Sequence, residues 1–131
     1  MSRIQRLTVP DLAKPPGYAH VVVASGTRLV MTAGAMPLDA AGNLVGAGDV
    51  RAQARRTLDN LMWQLAAAGA SGEDVLKTTV YVASTDRADL VACRQEVQRS
   101  PLAAAASTLL GVALLGDAGQ LVEIEAIAVL P

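Results

Sequence analysis

Glu123 and Glu125 stand two residues apart inside the otherwise apolar run 121–129. In a strand, alternation sends Val122, Ile124, Ala126 and Ala128 to one face, and Leu121, Glu123, Glu125, Ile127 and Val129 to the other. The first face suits packing beneath helices. The second mixes large apolar side chains with carboxylates, a pattern that a purely solvated face rarely carries. It points to a face covered by another subunit, with one or both carboxylates lining a pocket there. A carboxylate set among apolar side chains suits general acid–base work, such as managing a water beside an electrophilic carbon. Glu123 is the candidate for that work; Glu125 reads as a structural or interface charge.

Tyr18 and His20 fall on one side of the chain if that stretch is extended. Tyr18 can donate a hydrogen bond to a ligand or water, or can equally anchor the N-terminal segment as an amphipathic aromatic. His20 is the single histidine and the one side chain whose ordinary titration lies near neutrality, although a lone histidine is more often structural. Cys93 falls mid-helix with no Cys–His–Asn order around it, and reads as a buried, inert thiol. One His, one Cys and no clustered carboxylates do not make an ordinary metal ligand set. Gly111 and Gly116 lack the spacing of a phosphate loop and read as turn or bulge glycines.

These residues need a scaffold. The chain has 131 residues, enough for one domain, 1–131, with one core. Phe is absent, and Trp63, Tyr18 and Tyr81 are the aromatics, so the core must be built from Ala, Val, Leu, Ile and Met. Such a core gains from further burial between subunits. With 11 basic and 12 acidic residues and a net charge of −1, the chain lacks the basic excess of a nucleic-acid binder, and it has few stacking platforms. A single cysteine leaves no intrachain disulfide and fits a reducing compartment. The opening residues carry no signal-like apolar run, and no segment matches a membrane span. A cytoplasmic protein with no membrane or nucleic-acid partner is expected.

Along the chain, Pro10, Pro15 and Pro16 make the start irregular, with room for an edge strand at Ile4–Leu7. Runs 20–24 and 28–35 are β-rich and joined by Ser25-Gly26-Thr27, a hairpin signal. Residues 49–69 read as a helix. Asp49 caps its start, Gly69 stands where a left-handed C-terminal residue is wanted, and Val50, Ala54, Leu58, Leu61, Met62 and Leu65 form its stripe. Arg51, Arg55 and Arg56 lie mostly off that stripe and read as a solvated face. Val75–Ala83 is a β-favouring strand. Thr85-Asp86 opens a second helix running to about residue 99, with a weaker stripe of Leu90, Val91, Arg94 and Val97. Strands at 105–115 and 121–129 close the chain. The order β-β-α-β-α-β-β predicts an α+β protein, one mixed sheet with both helices on one face.

The pieces Pro16-Gly17-Tyr18, Ala19-His20, Thr32-Ala33-Gly34, Gln53-Ala54-Arg55 and Asp59-Asn60-Leu61 resemble the N-terminal half of the Rid family. These are the reactive intermediate deaminases, also called YjgF-like or endoribonuclease L-PSP proteins. Ala68-Gly69-Ala70, the stretch 75–81 (VLKTTVY) and the closing 122–128 (VEIEAIA) extend the resemblance over nearly the whole chain in order. It implies a homotrimer with the bacillus-type chorismate mutase fold and pockets between subunits. It implies hydrolysis of reactive enamines and imines such as 2-aminoacrylate, without a cofactor.

In the best-known branch of that family an arginine opening the penultimate strand binds the substrate carboxylate. Here Ala106 occupies that position, in Ala105-Ala106-Ser107, and no Lys or Arg follows Arg99. The family's Ser-Gly pair is Ala33-Gly34, and its second-helix asparagine looks like Ala92. The resemblance therefore implies a divergent member in which Glu123 and Tyr18 carry the chemistry. Because Ala106 replaces the arginine, 2-aminoacrylate-type substrates are not expected, and neutral ligands are. Gly34, Ala106, Ser107 and His20 line the ligand site, with backbone N–H groups near Gly34 and Ser107 polarising the substrate. Two rival classes stand beside a hydrolase of small imines, enamines or related carbonyl metabolites. One is a non-catalytic metabolite-binding trimer, which the loss of the arginine favours. The other is the ribonuclease of the family's older name, which the charge balance disfavours.

Overall fold

The computed structural model describes residues 3–131. Strands β1 (Ile4–Leu7), β2 (Val21–Ala24) and β3 (Arg28–Met31) precede helix α1 (Val50–Ala67). A single 3-10 turn (Gly72–Asp74), β4 (Val75–Ala83), helix α2 (Arg87–Gln98), β5 (Ala106–Val112) and β6 (Val122–Leu130) follow. The main sheet has four strands in the order β3-β6-β4-β5. Only β4 and β5 run parallel; β6 is antiparallel to both its neighbours. Strands β3 and β4 flank β6 in one direction, so both α1 and α2 are crossovers between parallel strands, and both land on one face.

The helices form where capping and periodicity predict. Asp49 accepts from the Ala52 N–H and caps α1. Gly69, at φ +78°, takes the left-handed turn after its end. Asp86 caps α2 through the Ala88 N–H. Ala54, Leu58, Leu61 and Leu65 of α1 pack with Val80, Val82, Val122, Ile124, Ala126 and Ala128 of the sheet, so the apolar face of β6 lies beneath the helices as its alternation requires. Among the described residues no helix is long and apolar enough to cross a membrane.

Three local expectations change. The β-rich runs on either side of Ser25-Gly26-Thr27 do not pair with each other. β2 pairs with β1 in a separate two-stranded sheet, while β3 pairs with β6. The link passes over the end of β6: Thr27 N–H donates to Leu130 O at 3.1 Å. A Cβ on Gly26 would stand 2.6 Å from that same oxygen. The glycine serves a close backbone approach, not a hairpin turn.

The stripe of α2 is rotated from its predicted line. Ala92, Cys93, Glu96 and Val97 are its buried residues, because α2 packs on α1 through a polar seam as well as an apolar one. Two of the arginines read as a solvated face form that seam. Arg55 Nε reaches Glu96 Oε1 at 2.6 Å, and Arg51 donates to Gln95 Oε1 at 2.6 Å. The third, Arg56, donates to Leu38 O and lies 5.2 Å above the Trp63 ring.

Candidate functional site

The pairing of β3 with β6 brings Gly34 onto Glu123. The antiparallel register holds from Arg28↔Leu130 to Met31↔Ile127, and pairing resumes at Ala35↔Ile124. Three residues on the β3 side (32, 33 and 34) then oppose two on β6 (125 and 126). This is a one-residue bulge, the device that re-aims backbone beside a site. Helix α1 pins it: Gln64 Nε2 donates to Ala33 O at 3.3 Å, and Asn60 Nδ2 to Met36 O at 2.6 Å. A Cβ built on Gly34 would fall 2.3 Å from Glu123 Oε2 and 2.7 Å from its Cγ. Only glycine leaves the carboxylate where it is.

Glu123 is steadied from its other side by Gln120. That amide, 3% exposed, donates to Glu123 Oε1 and to Val122 O, both at 3.0 Å, while its oxygen accepts from the Asp117 N–H. Across the sheet, Tyr81 pairs with Glu123 in register and donates a 2.5 Å hydrogen bond to Glu125 Oε1. That bond, with burial and the charges of Glu125 and Glu123, pushes the Tyr81 phenol above its ordinary value. Glu125 is thus tied to Tyr81. Neither Gln120 nor Tyr81 stood out in the sequence.

Replacement of Gly34 by Ala follows directly. The clash is with the end of a side chain that can swing, so the fold survives. The carboxylate should be displaced by an ångström or more while the fold stays intact, which a crystal structure of Gly34→Ala beside an unchanged circular dichroism spectrum checks.

The other predicted residues gather elsewhere. Ala19 N–H donates to Ala105 O at 3.3 Å and bridges to Ala106, so the segment around Tyr18 runs along the outer edge of β5. Tyr18 and Ser107 line a cavity of about 210 Å³ with Pro16, Val80, Arg94 and Leu109. Ser107 Oγ accepts from the fully buried Thr78 hydroxyl at 3.0 Å. His20 meets Tyr18 edge to face at 6.5 Å, but both its ring nitrogens are spent on backbone. Nδ1 accepts from Val9 N–H at 2.9 Å and Nε2 donates to Ala13 O at 3.0 Å. It holds the N-terminal segment in place. Cys93 is fully buried; desolvation, with the charge of Glu96, pushes its thiol up to about 12, and it stays inert.

Ala106 lies on the helix-free face, opposite Lys77 in the β4–β5 register. Lys77 sits opposite Ile127, and Tyr81 opposite Glu123, so Ala106 and Glu123 share a face but lie four residues apart, about 13 Å along the strands. Glu123 with Gly34 lies on the helix-free face, whereas Ser107, in register with the buried Thr78, turns to the helix face, where its cavity with Tyr18 opens against α2; within one chain the fold does not bring the two together. Around Glu123 the helix-free face exposes Leu29 (66%), Met31 (69%), Leu110 (43%) and Ile127 (38%).

The sequence profile of the endoribonuclease L-PSP family matches residues 11–130. A RutC family protein of Pyrococcus horikoshii is 38% identical over 69 residues, 53% of this chain; the match spans about half (54%) of that protein's length. The 3-aminoacrylate deaminase RutC of Acinetobacter baylyi is 30% identical over 91 residues, 70% of this chain and 71% of that one. The crystal structure of YyfB, a Rid family protein of Yersinia pestis, superposes with a TM-score of 0.87 at 34% identity, covering 98% of this chain and 100% of the other.

Proposed function

Since this chain belongs to the endoribonuclease L-PSP (Rid) family, we propose that it is a hydrolase of a small imine, enamine or related carbonyl metabolite, working in a pocket between the subunits of a homotrimer. The observation that carries this reading is the placement of Glu123. It is a carboxylate held between a buried amide and a glycine bulge, at the edge of an apolar face that a single chain leaves bare. In the proposed reaction Glu123 takes a proton from water as the water attacks the C=N carbon. The proton passes to the nitrogen to give a carbinolamine; the hydroxyl proton then follows it to the nitrogen as the C=O bond forms, the C–N bond breaks, and a carbonyl product and ammonia leave. Tyr18 of an adjoining subunit donates a hydrogen bond to substrate or water. The deaminase named among its relatives supports the class of reaction. Ammonia release across a panel of freshly generated imines tests it.

A second reading, a trimer that binds a metabolite without turning it over, is favoured by Ala106, which presents no charge on its strand. Absence of ammonia release with saturable binding of the panel's keto products would select it.

Both readings need the trimer. A second copy of this chain is the occupant proposed for the Leu29, Met31 and Ile127 face, since a single chain leaves those large apolar side chains bare beside Glu123. Static light scattering at micromolar concentration should give three copies. Met31→Glu, which places a charge within that apolar contact, should give monomers. A wild-type monomer sinks both readings.

A further inference from the structure

We infer that Gln120 is a positioning residue for Glu123: its buried amide occupies Oε1 of the carboxylate, so that Oε2, on the Gly34 side, is the oxygen that takes the proton from water. This deepens the function proposed above and rests on it.

The two oxygens of Glu123 have different surroundings. Oε1 accepts from Gln120 Nε2, and this is the one hydrogen bond that Glu123 receives among the described residues. Oε2 accepts none there. It lies against the backbone of Gly34, where a Cβ would stand 2.3 Å away. Tyr81, opposite Glu123 in the β4–β6 register, spends its proton on Glu125. The last torsion of a glutamate side chain is broad, so a carboxylate without a fixed partner turns easily. A single donor on Oε1 removes that freedom and keeps Oε2 aimed in one direction, which is what an acceptor of a transferred proton needs.

Gln120 is itself held fast. Its two amide protons go to Glu123 Oε1 and Val122 O, and its oxygen accepts from the Asp117 N–H at 3.2 Å. These partners fix which way the amide points, since the opposite orientation would set its oxygen against two other oxygens. Helix α1 clamps the backbone on both sides of it. The fully buried Gln53 accepts from the Leu121 N–H at 2.7 Å and donates to Gly119 O at 3.1 Å. The donor that meets Glu123 is therefore anchored to the core, and the carboxylate is oriented before any substrate arrives.

The test is a double-mutant cycle on ammonia release with wild type, Gln120→Leu, Glu123→Ala and the pair. A residue that acts through Glu123 matters only where Glu123 is present. Gln120→Leu should lower kcat by about 10- to 100-fold, the scale of an ångström-sized misplacement, with KM unchanged. It should not lower the residual rate of Glu123→Ala any further. Gln120→Met, a flexible apolar chain, repeats the arm should leucine pack badly. An equal loss in both backgrounds would assign Gln120 to the fold alone and overturn the inference, as would a wild-type kcat in Gln120→Leu.

A second measurement follows the same contact without turnover. The carboxylate carbon NMR signal of Glu123, in isotope-labelled protein and assigned by its loss in Glu123→Ala, should move in Gln120→Leu while that of Glu125 stays. A Glu123 signal that does not move overturns the inference. If the signal moves and wild type releases no ammonia from any imine, the hydrolase reading falls and the hold of Gln120 on Glu123 stands. Turnover that is indifferent to Gln120 does the reverse.

Discussion

In the proposed hydrolase, Glu123→Ala is expected to lower ammonia release by about two to four orders of magnitude, the usual worth of a positioned general acid–base group, while the proposed trimer and the melting temperature stay nearly as they were. The asymmetry follows from what Glu123 touches. Its side chain takes one hydrogen bond, from Gln120, and packs against the bulge at Gly34. Gln120 keeps its bonds to Val122 O and Asp117 N–H without it, so no buried donor loses its last partner, and the stability change is small. Chemistry has no such substitute. Tyr81 is committed to Glu125, and its phenol is held protonated by that bond, so it cannot serve as the base near neutral pH. The measurement is steady-state ammonia production beside light scattering and thermal melting on the same samples. A variant with wild-type turnover would show that another group moves the proton.

The sequence exposes those parts of this protein that depend on local periodicity and capping. Asp49 and Gly69 bracket α1 because each serves its own end of the helix. β6 declares its two faces because alternation is a property of one strand. The failures are all long-range. Gly26 has the composition of a turn, and its role is decided by the carbonyl of Leu130, which only the closing strand supplies. Gln120 looks like a loop residue until β6 folds Glu123 beneath it. Gly34 gains its meaning from a bulge that exists only when β3 and β6 are in register.

Glu96 marks the largest expected stability effect. Its carboxylate, 5% exposed, receives Arg55 at 2.6 Å, Arg99 at 3.3 Å and Arg51 at 3.5 Å, and so fastens α2 to α1. Burial would raise its titration point. The hydrogen bond and charge of Arg55, with the charges of Arg99 and Arg51, outweigh burial and hold it below the ordinary glutamate value of 4.5. Removing one partner of a buried ion pair costs about 3–5 kcal/mol. Here the arginines are open to water on their outer sides, at 62% for Arg55 and 68% for Arg99, so they rehydrate when the carboxylate goes. Glu96→Ala should therefore cost about 2–3 kcal/mol, roughly 10 °C in melting temperature for a domain of this size, measured at one fixed protein concentration. The sign with pH follows from the lowered folded value. The unfolded chain binds the proton first, so the contribution is complete above about pH 5.5 and fades as pH falls through 4.5 toward the folded value. Asp74, bonded by the Ser71 N–H and Arg3, and Asp39, bonded by the Asn43 N–H, are lowered too and weaken the fold in the same range. The gap between wild type and Glu96→Gln, followed by urea denaturation from pH 7 to pH 3, cancels those shared losses. It should be widest at neutral pH and narrow steadily below pH 4.5; a gap that stays constant with pH would mean that Glu96 holds the helices by packing and not by charge.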